Sequence, residues 1–125
     1  MSITWFNRIN KLGVATIYPT NITMNKVVSD EIADAYGVLL GIDKEEKQVV
    51  LKPISMNKYS EGTIDKNMFF KLSDGKTYSR VSSTDFVSEI SSIFSIDFSS
   101  SPKKYTCVWD KEKKVVIINL SKEVK

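Results

Sequence analysis

The sequence predicts an α+β chain: a single domain of two pseudo-repeats, each β-hairpin–helix–β-hairpin, with antiparallel sheets and short helices. Three observations carry this expectation. Short β-prone runs recur in pairs around turn-forming residues. Two apolar stripes follow helical spacing, Val28, Ile32, Ala35 and Tyr36 in the first and Phe86, Ile90, Ile93 and Phe94 in the second. Each stripe is followed by a charged turn and an apolar run: Asp43-Lys44-Glu45 before Val49-Val50-Leu51, and Asp110-Lys111-Glu112 before Val115-Val116-Ile117. The expected boundaries are an N-terminal amphipathic helix or arm at 2–12, a first ββαββ unit at 14–53, a connector at 54–67 and a second unit at 68–120.

Each element has a local reason. Trp5, Ile9 and Leu12 fall at i, i+4, i+7, with Ser2 as an N-cap and Gly13 as a stop. Residues 14–18 and 22–24 are β-prone runs split by Pro19 and Asn21, which suggests a tight hairpin. Asn25 is placed to cap the first helix, since its side-chain oxygen can accept from an unpaired amide. Gly37 suits a left-handed stop, and Gly41 within the next apolar run suggests a bulge or a close backbone approach. In the second half, residues 68–72 and 77–81 flank Ser73-Asp74-Gly75-Lys76, the strongest turn signal in the chain. Thr84 is the expected cap of the second helix, with Asp85 at its electropositive N-terminal end.

Composition excludes several chemistries. The sequence has 125 residues, one cysteine (Cys107) and no histidine. No Ser-His-Asp or Cys-His nucleophile and no histidine or all-cysteine zinc site can be built from such a set. The expected protein is not an enzyme and uses no cofactor and no resident metal. The carboxylate pairs Asp30 with Asp34 and Glu45 with Glu46 read as exposed polar faces. A lone cysteine fits a reducing compartment, and neither a signal peptide nor a membrane span is legible, so a cytoplasmic location and no membrane partner are expected.

The net charge of +3 is unevenly placed. Residues 1–100 carry 11 basic and 12 acidic side chains, and residues 101–125 carry 7 and 3. Lys103, Lys104, Lys111, Lys113 and Lys114, interleaved with Tyr105 and Trp109, are therefore the candidate nucleic-acid-binding residues, because lysine neutralises phosphate and rings stack on unpaired bases. The competing reading is an edge hairpin that lysines protect from aggregation. Only Arg8 and Arg80 could read guanine bidentately, so backbone contacts are expected rather than base readout. Trp5 and Phe6 are the candidates for docking a protein partner, and a homodimer is among the expected assemblies.

The run Ile22-Thr23-Met24-Asn25-Lys26, the helix to Gly37 and the hairpin closing on Val49-Val50-Leu51-Lys52-Pro53 resemble AbrB-type swapped-hairpin DNA-binding domains. The tandem arrangement is similar to the MraZ type, which carries two such units in one chain. The resemblance covers residues 22–53 and, more faintly, 78–117. It implies a non-enzymatic DNA-binding or transcription-regulatory protein. A small protein-interaction module, either adaptor or inhibitor, is the alternative.

Overall fold

The computed structural model describes residues 2–5, 12–75 and 77–124. Strand β1 (Val14–Ile17) turns into β2 (Asn21–Asn25), and helix α1 (Lys26–Glu31) follows. A long hairpin, β3 (Ala35–Asp43) and β4 (Gln48–Ser55), leads to helix α2 (Met56–Ser60) and a 3-10 turn at Lys66–Met68. Then come β5 (Phe69–Asp74), β6 (Tyr78–Ser82), helix α3 (Thr84–Phe94) and a second long hairpin, β7 (Lys103–Asp110) and β8 (Val115–Glu123).

All eight strands close into one antiparallel barrel in the order β1-β2-β6-β5-β3-β4-β8-β7, with β7 pairing back onto β1. This overturns the expected α+β arrangement of two hairpin–helix–hairpin units in open antiparallel sheets. The β1–β2 hairpin is flanked by β6 and β7, and the β3–β4 hairpin by β5 and β8. Hairpins from the two halves of the chain alternate, so neither half has a sheet of its own. Closure leaves no strand edge exposed, which makes edge-protecting lysines unnecessary. Exchanging β1–β4 for β5–β8 leaves the list of neighbours unchanged: β2–β6 and β4–β8 map onto themselves, and β1–β7 maps onto β3–β5.

Strand alternation fills the barrel. Ala15, Ile17, Ile22, Met24, Val81, Val38, Val49, Leu51, Val116, Ile118, Tyr105 and Cys107 point inward and are buried. Helix α1 adds Val28 to this core, its C-cap residue Ile32 joins it, and α3 adds Val87 and Ile90. Each helix joins a hairpin to the next at one end of the barrel. Strand β2 ends and β3 begins at the end where α1 lies, and β6 ends and β7 begins at the opposite end, beside α3.

Several local expectations are corrected. Ser2–Trp5 is not helical, and residues 6–11 of the expected arm lie outside the described residues. Helix α1 ends at Glu31, so Ala35 and Tyr36 belong to β3 rather than to a helix face. Asn25 precedes α1 but makes no cap; its Nδ2 donates instead to the Leu12 carbonyl at 2.9 Å. Gly37 is needed for close approach, not for a helix stop: a Cβ there would lie 2.4 Å from the Phe70 carbonyl oxygen and 2.2 Å from the Phe69 ring. The bulge expected at Gly41 falls between Ala35 and Gly37, and Gly41 pairs regularly with Val50. Ser83, not Thr84, caps α3 by accepting from the Phe86 amide at 3.1 Å. The expected connector begins inside β4, whose last residues are Ile54 and Ser55.

That connector is fastened to the outside of the barrel by aromatic rings. Tyr59 of α2 packs on Phe69 of β5 and on the bulged Tyr36 of β3, with ring centroids 4.5 and 5.3 Å apart. Tyr36 and Phe69 stack at 5.6 Å, and the Lys71 ammonium lies 5.5 Å from the Tyr36 centroid.

Candidate functional site

Both long hairpins turn through four residues led by an aspartate. Asp43 Oδ1 accepts from the Glu46 amide, and Asp110 Oδ1 accepts from the amides of Glu112 and Lys113. Lys47 and Lys114 close the two turns in the left-handed region, at φ 56° and 55°. Because β4 and β8 run antiparallel, with Gln48 across from Asn119, these turns lie at opposite ends of the barrel. The lysines of the two hairpins therefore do not converge.

The expected nucleic-acid lysines are split in the same way. Lys103 and Lys104 begin β7, across from Ile17 and Thr16, whereas Lys111, Lys113 and Lys114 sit in the turn that ends it. Seven strand steps separate Lys103 from Asp110, roughly 23 Å at about 3.3 Å per residue. The five do not form one patch. Trp5 is 82% exposed on a segment without regular structure, and Phe6 lies outside the described residues.

The remaining chemistry-bearing residues are accounted for structurally. Cys107 points into the barrel beside Tyr105, and burial pushes its thiol up to about 12. Asp30 pairs with Lys26 at 3.0 Å in the open, and Asp34 lies beyond the end of α1. Among the described residues no group of three or more carboxylate and cysteine side chains is gathered as metal ligands would be.

A hollow of about 750 Å³ opens at the α1 end between β4, α2 and the end of β7. Glu31, Asp34, Lys52, Lys58, Lys114 and Trp109 border it. Two carboxylates among three ammonium groups leave it without a dominant sign of charge, and nothing in it selects an anion.

A different surface has such a sign. The register aligns Lys104 of β7 with Thr16 of β1, Thr16 with Thr23 of β2, and Thr23 with Arg80 of β6. These four residues share the outer face, because Ala15, Ile22, Met24, Val81 and Tyr105 take the alternate, inward positions. Tyr18, placed by the β1–β2 turn, and Tyr78, at the start of β6, flank the row and are 36% and 40% exposed. Two shallow hollows lie along it. One of about 470 Å³ is bordered by Tyr18, Asn21, Thr23, Tyr78 and Arg80. The other, of about 390 Å³, reaches Lys104 past Thr16 and Thr23. Among the described residues no carboxylate borders either hollow. Arg80 and Lys104 are exposed and form no ion pair among the described residues.

Of the residues singled out from sequence for nucleic acid, only Lys104 lies in this row. Thr16, Thr23 and Arg80 join it through the β1–β7 and β2–β6 pairings, which bring together residues 88 and 57 positions apart. The legible signal was alternation: Asn21 and Thr23, and Tyr78 and Arg80, occupy the polar phase of their strands. No helix among the described residues is long and apolar enough to cross a membrane. No family model, no curated protein and no solved structure matches the chain.

Proposed function

We propose that this is a non-enzymatic DNA-binding protein that contacts the DNA backbone through the outer face of β7, β1, β2 and β6. One observation carries the reading: Arg80 and Lys104 stand at the two ends of an aligned row of hydroxyl side chains on a face whose hollows are bordered by no carboxylate among the described residues. Uncompensated cations attract phosphate, and threonine hydroxyls donate to phosphate oxygens. The proposal includes a transcription-regulatory role in the cytoplasm, which the resemblance of residues 22–53 to AbrB-type domains implies.

The test is a salt-titrated binding assay with single-stranded and duplex DNA. Affinity should fall linearly on a log–log plot as salt rises. The double variant Arg80→Gln/Lys104→Gln should reduce that slope by about two phosphate equivalents, roughly 1.4 to 1.8. Absence of binding to both DNA forms at low salt refutes the reading.

A second reading, docking of a protein on the N-terminal segment, is favoured by the exposure of Trp5 and Ile3, 82% and 60%. Sedimentation across the micromolar range tests its simplest form. A dimer abolished by Trp5→Ala supports it, and a monomer at every concentration removes self-association.

A further inference from the structure

We infer that the DNA taken by this face is single-stranded, with unpaired bases stacking on Tyr18 and Tyr78 while Arg80 and Lys104 hold the phosphates. The inference rests on the DNA-binding reading and specifies its ligand. Three features of the face argue for it.

The first is the state of the rings. Tyr105 is packed into the barrel at 2% exposure, whereas Tyr18 and Tyr78 are turned outward on the same sheet, 36% and 40% exposed, with one side of the Tyr78 ring lying against Gly75. An aromatic face open to solvent offers stacking to any base, but only to one released from a duplex.

The second is spacing. Tyr18 follows β1 at the level of Asn21, and Tyr78 is the register partner of Asn25. Asn21 and Asn25 are four residues apart on β2, so the backbones of the two tyrosines stand about 13 Å apart along the sheet at about 3.3 Å per residue, and both side chains reach the rim of one hollow. The two rings thus flank one hollow in which unpaired bases can be received.

The third is charge. Arg80 lies two residues from Tyr78 on the same face of β6, about 7 Å away. Lys104 lies three strands across, about 14 Å from Arg80 at about 4.8 Å per strand. Cations set beside the rings suit a strand laid over the sheet with its bases down on tyrosine and its phosphates near the rim. A convex barrel wall with short polar side chains has no element that reaches into a major groove, where duplex recognition places a helix or ribbon.

The experiment measures fluorescence anisotropy of a labelled 15-nucleotide oligothymidine at low salt, alone and annealed to oligoadenylate. The expected result is single-strand binding at least tenfold tighter than duplex binding. Tyr18→Ala and Tyr78→Ala should each weaken single-strand binding roughly tenfold, with Tyr→Phe at either position retaining it. Thermal unfolding of each variant confirms that it folds, and the phenylalanine variants keep the comparison valid if an alanine variant does not. Equal binding of duplex, or tyrosine variants without effect, overturns this inference and leaves the DNA-binding reading standing. Tighter binding of oligouridylate than of oligothymidine overturns it in favour of RNA. Equal competition by polyglutamate of matched charge overturns it in favour of a bare anion surface. Failure of both DNA forms to bind refutes the DNA-binding reading itself.

Discussion

The amide of Cys107 donates to the carbonyl of Gly13 at 2.9 Å, one residue beyond the first paired residue of β1. This bond lies on the β1–β7 seam, where the barrel closes. A Cβ at Gly13 would fall 2.1 Å from the Cys107 carbonyl oxygen and 3.0 Å from Val28 of α1. The glycine lets strand and helix meet at the seam.

Gly13→Ala should therefore destabilise the protein by about 1 to 3 kcal/mol, because the obstacle is backbone and cannot rotate away. Denaturant unfolding measures the change. Gly41→Ala is the control: its nearest neighbour would be the Val50 carbonyl oxygen at 3.6 Å, an ordinary contact.

The barrel interior should behave as a packed core. Leu51 and Ile118 are fully buried on β4 and β8. Leu51→Ala should cost about 2 to 5 kcal/mol by removing apolar contact and leaving a cavity. Leu39→Ala, at a half-buried outward position, should cost less than half as much in the same denaturant series.

Alkaline pH should weaken the fold through Cys107 and Tyr105. Burial raises the Cys107 thiol from 9.0 to about 12, and burial with the charge of Glu123 raises the Tyr105 hydroxyl from 10.0 to about 12. Below about pH 9 both groups are protonated in the folded and the unfolded chain, and their contribution is fully present. Between pH 9 and about 12 the unfolded chain ionises first, so stability falls as pH rises. The alkaline loss should shrink in Cys107→Ser, which lacks the thiol. Native Cys107 should also resist a thiol reagent at pH 8 and react on unfolding.

Asp97 should act in the opposite direction. The hydroxyl of Ser100 and the hydroxyl and amide of Ser99 donate to its carboxylate at 2.6 to 2.8 Å and hold it well below the usual carboxylate range. Its contribution is present above the unfolded value of about 4 and is lost as pH falls toward the lower folded value. Asp97→Asn should flatten the acid limb of the stability profile.

Much of the fold's local grammar was legible in the sequence, and its closure was not. The two charged turns, the helix centred on Ile90 and the inward phase of Cys107 with Tyr105 follow from spacing alone. Alternation along a strand says which side chains point inward, but not whether the sheet curls shut. That depends on pairings such as Val14 with Thr106 and Asn21 with Ser82, which join residues far apart in sequence. The i+8 spacing of Tyr36 and the glycine that follows it fit a helix, whereas ring packing on Phe69 and Tyr59 holds Tyr36 in a strand bulge. The candidate face was obscured for a related reason. Counting charge along the chain favours the lysine-rich hairpin turn, while the row through Arg80 and Lys104 exists only once β6, β2, β1 and β7 are side by side.

The most direct measurement is a map of backbone amide chemical shifts on titration with oligothymidine. Shifts should be concentrated at Thr16, Tyr18, Thr23, Tyr78, Arg80 and Lys104, with the Asp110–Lys114 turn at the far end of β7 unmoved. Shifts centred on that turn, with the outer face of β1, β2 and β6 silent, would contradict it.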